Sequence, residues 1–341
     1  MVACKLSIKK IFDRIERDDK FKEFKTTYSL TPSDEMGGTK FAANFYKSAV
    51  VNYKGKVTGS KDLYSEVIAE TLINDNFIKD WLNLIPVRPE HFKINHPNTY
   101  ENVDALKITN RKEEILAKLL FYQGNVDGLG YIFDYQTPLK ATQNDSYGKI
   151  DLLGYNKDDK CYSVIELKYR PSGSEETLLR CVLEAYTYYR LLDIKQINSA
   201  RGHEGIQQLK KLPGYKHTNE SELVVLFDEK SCAKDDGGAE TNLMLRIVSN
   251  EPNEPNYPSK TVVSQQYKEC QELINPSKRK NLRALCEAIL KQESKLKQIR
   301  FVVLRTEDID KAVSLKNVQK WSSELDRSYR AETLLTITSK G

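Results

Sequence analysis

Between residues 131 and 170 the chain packs three strand-like runs into close succession, YIFDYQTPLKA, YGKIDLLGYN and CYSVIELKYR. The last two are separated by only Asn156-Lys157-Asp158-Asp159-Lys160, a polar turn that favours an antiparallel hairpin. Just before them, RKEEILAKLLFYQ sets Ile115, Leu116, Leu119 and Leu120 at helical spacing behind a potential cap, Asn110. Gly124, Gly128 and Gly130 end that helix. After the strands a second helix is expected to open at Ser172 or Ser174, with Glu175 and Glu176 in its first turn, and to continue through LLRCVLEAYTYYRLL. A helical segment near 206–212 and the strand ELVVLFD follow. This order of helix, three strands, helix and strand predicts an α/β (α+β) core in which helices flank a mixed central sheet.

The flanks are less constrained. The first hundred residues read as a charged helix over 6–24, a loop at 31–39, a strand-like stretch at 48–53, helices near 63–73 and 77–84, and a loop punctuated by Pro86, Pro89 and Pro97. Beyond residue 229, SCAKDDGGAE reads as a turn and SNEPNEPNYPSK as a proline-rich connection. A basic helix and the apolar strand IRFVVLR come next, as an extension of the same sheet. Three regions result: 1–105, a mixed α/β part suited to DNA recognition; 106–230, the core; and 231–341, the C-terminal extension.

Bulk properties narrow the chemistry. The 341 residues are 39% hydrophobic and 30% charged, a globular balance. No apolar run of about 18 residues is present, so no membrane span is expected, and the start lacks the pattern of a secretory signal, which points to the cytoplasm. Six cysteines stand singly, without a C-x-x-C pair, so a thiolate metal cluster is not expected. His91 and His96 are the only histidines loosely spaced as a metal pair. Any metal chemistry must therefore rest on carboxylates.

The net charge of +5 permits an anionic partner. Lys278, Arg279, Lys280, Arg283, Lys291, Lys295, Lys297 and Arg300 face only Glu287 and Glu293 in the stretch 276–301. Read as one basic helix, this strip is suited to phosphates, with Lys278, Arg279, Lys280 and Arg283 as candidate DNA contacts; a solvated helix face is the alternative.

Glu-x-Lys occurs three times, at Glu23, Glu166 and Glu293, but only Glu166-Leu167-Lys168 lies in a strand run and follows an Asp on a neighbouring strand. Strand alternation puts Glu166 and Lys168 on one face and Ile165 and Leu167 on the other, while Asp151 projects oppositely to Ile150 and Leu152. Burying two carboxylates and an ammonium is costly unless something binds them. A divalent metal meets that cost: Asp151, Glu166 and the Leu167 backbone carbonyl are hard oxygen ligands suited to Mg²⁺ or Mn²⁺. Lys168 would then orient the attacking water or stabilise the charge of the transition state. An ion pair on a solvated sheet face is the competing explanation.

The element order, with G-x-I-D on the second strand and V-I-E-L-K on the third, resembles the PD-(D/E)XK nuclease superfamily, the restriction-endonuclease-like fold, over about 110–229. The resemblance rests on Asp151, Glu166 and Lys168, although Ile150 stands where the word PD would put proline. It implies a Mg²⁺-dependent deoxyribonuclease with DNA as its partner, and a further acidic ligand from the first helix. Glu113, nearer the apolar stripe, suits that role better than Glu114. RecB-type members carry Gln and Tyr as Q-x-x-x-Y on the second helix; here Glu184 and Tyr188 occupy those places as possible supports. A restriction or phage-defence endonuclease is the leading expectation. A repair or recombination nuclease, and an inactive nucleic-acid-binding protein of the same fold, are the alternatives; a homodimer is left open. No G-x-x-x-x-G-K-[ST] loop is present for ATP-driven translocation.

Overall fold

The computed structural model describes residues 39–47, 51, 64–74, 77–80, 85–88, 112–139, 147–168, 176–200, 202–228, 280–305 and 329–339. The expected helix at 6–24, the loops at 31–38 and 89–97, and the segments between 229 and 279 lie outside them. So do Cys4, Cys232, Cys270, His91, His96, Asn110 and Glu175. Of the expected strand at 48–53 only Val51 is described, and it is buried.

Near the N-terminus come α1 (Thr39–Asn44), a 3-10 turn (Phe45–Lys47), α2 (Tyr64–Asn74) and α3 (Phe77–Asp80). Next is α4 (Lys112–Gln123). Its Leu116, Leu119 and Leu120 recur every three or four residues and are buried, and so are Ala117, Lys118, Phe121 and Tyr122, so this stretch of the helix is enclosed on all sides. The helix stops at Gly124, whose φ of 72° an L side chain tolerates poorly and whose N–H donates to the Leu120 carbonyl.

The strands are β1 (Asn125–Val126), β2 (Gly130–Pro138), β3 (Lys149–Asn156), β4 (Cys161–Lys168), β5 (Ser221–Asp228), β6 (Leu296–Arg305) and β7 (Arg330–Thr338). They form one mixed sheet in chain order. The β3–β4 hairpin is antiparallel, as its turn predicts. The Asn156 side-chain oxygen accepts from the N–H groups of Asp158 and Asp159, an Asx turn that closes the loop. β4, β5 and β6 are mutually parallel. A parallel neighbour needs a crossover: α5 (Leu178–Leu191), α6 (Ile194–Ser199) and α7 (Glu204–Lys210) supply it between β4 and β5. α8 (Lys280–Gln292) precedes β6, and β7 returns antiparallel. The sheet curls until its two ends touch: Asp127 bridges Arg330, and Arg300 Nη1 donates to the Gly128 carbonyl at 3.0 Å.

Apolar side chains pack on both faces. Leu152, Ile165, Leu167 and Leu226 meet α4 on one. On the other, Val164, Leu223 and Val225 meet Leu178, Val182 and Tyr186 of α5 and Leu285 and Ile289 of α8. The face carrying Glu166 is thus itself a packed interior. Ile150 belongs to this second cluster rather than joining Leu152, so simple alternation fails at Asp151.

Two helix expectations need correction. α5 starts at Leu178, and its cap is Thr177 rather than Ser172 or Ser174. Thr177 Oγ1 accepts from Arg180 N and donates to the Val51 carbonyl, so both its hydrogen-bonding roles are filled. Glu176 therefore precedes the cap and is not in the first turn. The basic strip, in turn, is not a single helix: α8 ends at Gln292, and Lys297 and Arg300 belong to β6. Arg300 is buried, with Nε and Nη2 paired to the two oxygens of Glu222 on β5 at 2.9 and 2.7 Å.

Candidate active site

The β3–β4 ladder pairs Asn156 with Cys161 and continues only to Leu152 with Ile165. Past that point the strands part. Ile150 and Lys149 stay paired to β2, while Glu166, Leu167 and Lys168 pair with β5. Asp151 sits at the fork. Its Oδ2 accepts from the Leu167 N–H at 2.9 Å, taking a donor that the hairpin no longer uses, and its Oδ1 accepts from Gln136 Nε2 at 3.0 Å.

On the other prong, Lys168 Nζ lies 2.5 Å from Glu166 Oε1, 2.8 Å from Glu176 Oε2 and 3.2 Å from Glu184 Oε2. Glu184 projects from α5, where Tyr188 OH donates to its Oε1 at 2.9 Å. Because that bond uses the Tyr188 proton, the hydroxyl contact of 3.1 Å between Tyr188 and Tyr46 is donated by Tyr46. A Cβ at Gly148 would collide with the Tyr188 hydroxyl, so this glycine gives the tyrosine its room. Arg180 reaches Glu176 at 3.2 Å and Glu184 at 4.0 Å.

The electrostatics show acid in excess. Burial, then the nearby charge of Glu113, pushes the Asp151 carboxyl up to about 8, against the opposing pull of Lys168 and the Leu167 N–H. Burial and the adjacent Glu184 hold Glu166 well above the ordinary carboxylate range. Burial also works against the ammonium of Lys168. Glu166, Glu184 and Glu176 together outweigh it and keep that group charged. Lys47 lies in the field of Glu184 and Arg180. Among the described residues, five carboxylates (Glu113, Asp151, Glu166, Glu176, Glu184) thus share the neighbourhood with three cations (Lys47, Lys168, Arg180).

Whether a divalent ion suits this place can be judged from its oxygens. Glu166 Oε2 is buried without a hydrogen-bond partner among the described residues. Such an atom is costly unless something else binds it. Among those residues no three acidic, histidine or cysteine side chains already converge to cage an ion. The donors that fit are Asp151 and Glu166, with the Leu167 carbonyl, Glu113 and water to complete a shell of hard oxygens. A dication there would relieve both raised carboxyls at once.

The structure thus brings Asp151, Glu166, Lys168 and Glu184 together, and places Tyr188 directly behind Glu184. Glu113 is the helix carboxylate whose charge acts on Asp151, whereas Glu114 acts on Lys118 and Tyr135. Lys278 and Arg279 fall outside the described residues; Lys280 opens α8, and Arg283, half-buried, donates to Glu287 at 3.1 Å. Sequence reasoning missed Gln136, Glu176, Tyr46 and Lys47. Only Glu176 carried a signal: it immediately precedes Thr177, itself a good capping residue.

Comparison with protein-family models, with curated proteins and with solved structures returns no match. Among the described residues no helix is long and apolar enough to cross a membrane.

Proposed function

We propose that this chain is a metal-dependent nuclease of the PD-(D/E)XK kind that hydrolyses DNA phosphodiester bonds, as a restriction or phage-defence endonuclease would. One observation carries the reading: at the fork of two strands, a buried Asp151 and a buried Glu166, one of whose oxygens has no hydrogen-bond partner among the described residues, stand beside a Lys168 ammonium that neighbouring carboxylates keep charged.

Asp151, Glu166, the Leu167 carbonyl and Glu113 are the groups that would hold Mg²⁺ or Mn²⁺. When bound, that ion supplies an activated water and neutralises phosphoryl charge. The chain's own residues do the rest. The Leu167 N–H and Gln136 fix the plane of the Asp151 carboxylate. Glu166, Glu176 and Glu184 hold the Lys168 ammonium beside the fork. There it can orient the attacking water and meet charge that builds on the phosphoryl oxygens as water adds to phosphorus and one ester P–O bond breaks. Preorganisation matters because none of these groups must move when the charge develops.

The test is incubation of the purified chain with supercoiled plasmid, linear duplex and single strands in Mg²⁺, Mn²⁺ or EDTA, beside Glu166→Gln. Cleavage that needs the metal and disappears in the variant supports the proposal. Metal-independent cleavage, or none on any substrate, overturns it; DNA binding without cleavage would point to the inactive DNA-binding alternative.

A further inference from the structure

Gln136 lies on β2 between two regular pairs, Tyr135 with Leu152 and Thr137 with Ile150, which puts it directly across the ladder from Asp151. Its φ is 48°, in the left-handed region that residues with a Cβ avoid. Glycine would adopt this conformation freely, yet the position carries a long amide. A side chain held in an unfavourable backbone state persists only where its surroundings over-determine it, and such states collect at functional sites. Here, among the described residues, one hydrogen bond uses the side chain: Nε2 donates to Asp151 Oδ1 at 3.0 Å. Each Asp151 oxygen then has one fixed donor and keeps a lone pair.

We propose that Gln136 is a positioning residue for the divalent cation: its strained backbone exists to aim the carboxamide at Asp151, so that the carboxylate meets an incoming ion already oriented. The inference rests on the proposed metal-dependent reading of the same site. Outer partners that orient a ligand commonly change metal affinity by 10–100-fold when removed. A residue serving only to shape the strand would have no such effect.

Gln136→Gly separates the two roles, because glycine removes the amide and also relieves the φ of 48°. Manganese titration by calorimetry would compare the full chain, Gln136→Gly and Gln136→Asn, whose amide tolerates the backbone but is one methylene too short. Thermal melts without metal would compare Gln136→Gly alone and in an Asp151→Ala background. The expected result is about tenfold weaker Mn²⁺ binding in both single variants. The glycine change should raise Tm more in the Asp151→Ala background than in the wild type, since there it relieves strain with no bond to lose. Equal Mn²⁺ affinity in the parent and both variants, or identical melting shifts in the two backgrounds, overturns the role of Gln136 while leaving the metal site standing. A parent chain that binds no Mn²⁺ overturns the metal reading and this inference with it.

Discussion

Replacing Lys168 by Met keeps most of the stem's volume and removes only the charge, so it isolates what the ammonium does. Three carboxylates would lose their shared cation. Taking one partner from a buried ion pair costs roughly 3–5 kcal/mol, because the other charge is left in a poorly solvated place. The side chain of Glu176 is 21% exposed and can turn to water, whereas those of Glu166 and Glu184 are 3% and 9% exposed and cannot. The lower end of the range, about 3 kcal/mol, is therefore expected at slightly alkaline pH without metal. For a protein of 341 residues that is a fall in Tm of about 4 °C.

The loss must depend on pH, and its sign follows from the carboxyls. Lys168 pulls both Asp151 and Glu166 downward, so without it both move further above their unfolded values. A carboxyl whose folded pKa is raised binds its proton more tightly in the folded state. Folding is then favoured at low pH and loses that contribution as pH rises toward the folded value. Lys168→Met should thus melt close to wild type near pH 5 and well below it near pH 8, and saturating Mn²⁺ should restore most of the difference. Plasmid cleavage in the same variant should fall by about a hundredfold or more, the scale of one prealigned electrostatic group. Thermal melts in chelator at the two pH values, with a cleavage assay in Mn²⁺, read all three quantities. A variant that melts like wild type at pH 8 and cuts like wild type would refute the reasoning.

The metal-free wild type should itself lose stability as pH rises from about 4 toward about 8, the window set by Asp151; Asp151→Asn should flatten that slope, and an unchanged slope would count against it. Arg300→Met should cost about 3–5 kcal/mol by stranding the buried Glu222, and adding Glu222→Gln should recover much of it; chemical denaturation of the single and double variants shows whether it does. Neutralising Lys278, Arg279, Lys280 and Arg283 together should weaken DNA binding at all sequences and reduce its dependence on salt, and a full salt slope in that variant would remove them from the interface.

Much of the middle third was legible because its signals are local. The Asn156 turn specifies a hairpin, and alternation in VIELK puts Glu166 and Lys168 on one face, so context alone distinguished this Glu-x-Lys from the two outside strand-like runs. What alternation could not show is that the ladder ends one pair before Asp151. The fork arises from competing partners, β2 for one strand and β5 for the other. Glu176 was misread because the capping position was placed too early. The pairing of Thr177 with Val51 comes from residues 126 positions away. Tyr46 reaches Tyr188 across 142 positions, and no local pattern records such a contact. Arg300 was counted along the chain as one more surface cation, although its place on β6 turns it inward to Glu222.

Glu222 and Glu166 lie on adjacent parallel strands, both carboxylates deep in the same sheet, and the contrast between them bears on the proposed chemistry. Glu222 has every need met: both bonds from Arg300, one from Gln298, one from Ser163 and longer contacts from Asn156. The fold therefore has the means to satisfy a buried carboxylate completely, and does so where the group only joins strands. At Glu166, among the described residues, it supplies one ammonium, shares that ammonium with two other carboxylates, and gives Oε2 no hydrogen-bond partner. Asp151 beside it is neutralised no better, since burial and Glu113 outweigh the donors it has. Among the described residues the sheet supplies donors to its other buried acids, Glu222 and Asp134, and falls short of them at the strand fork; such a deficit is what a site for a cation requires, since full satisfaction by the protein would leave nothing for the ion to bind.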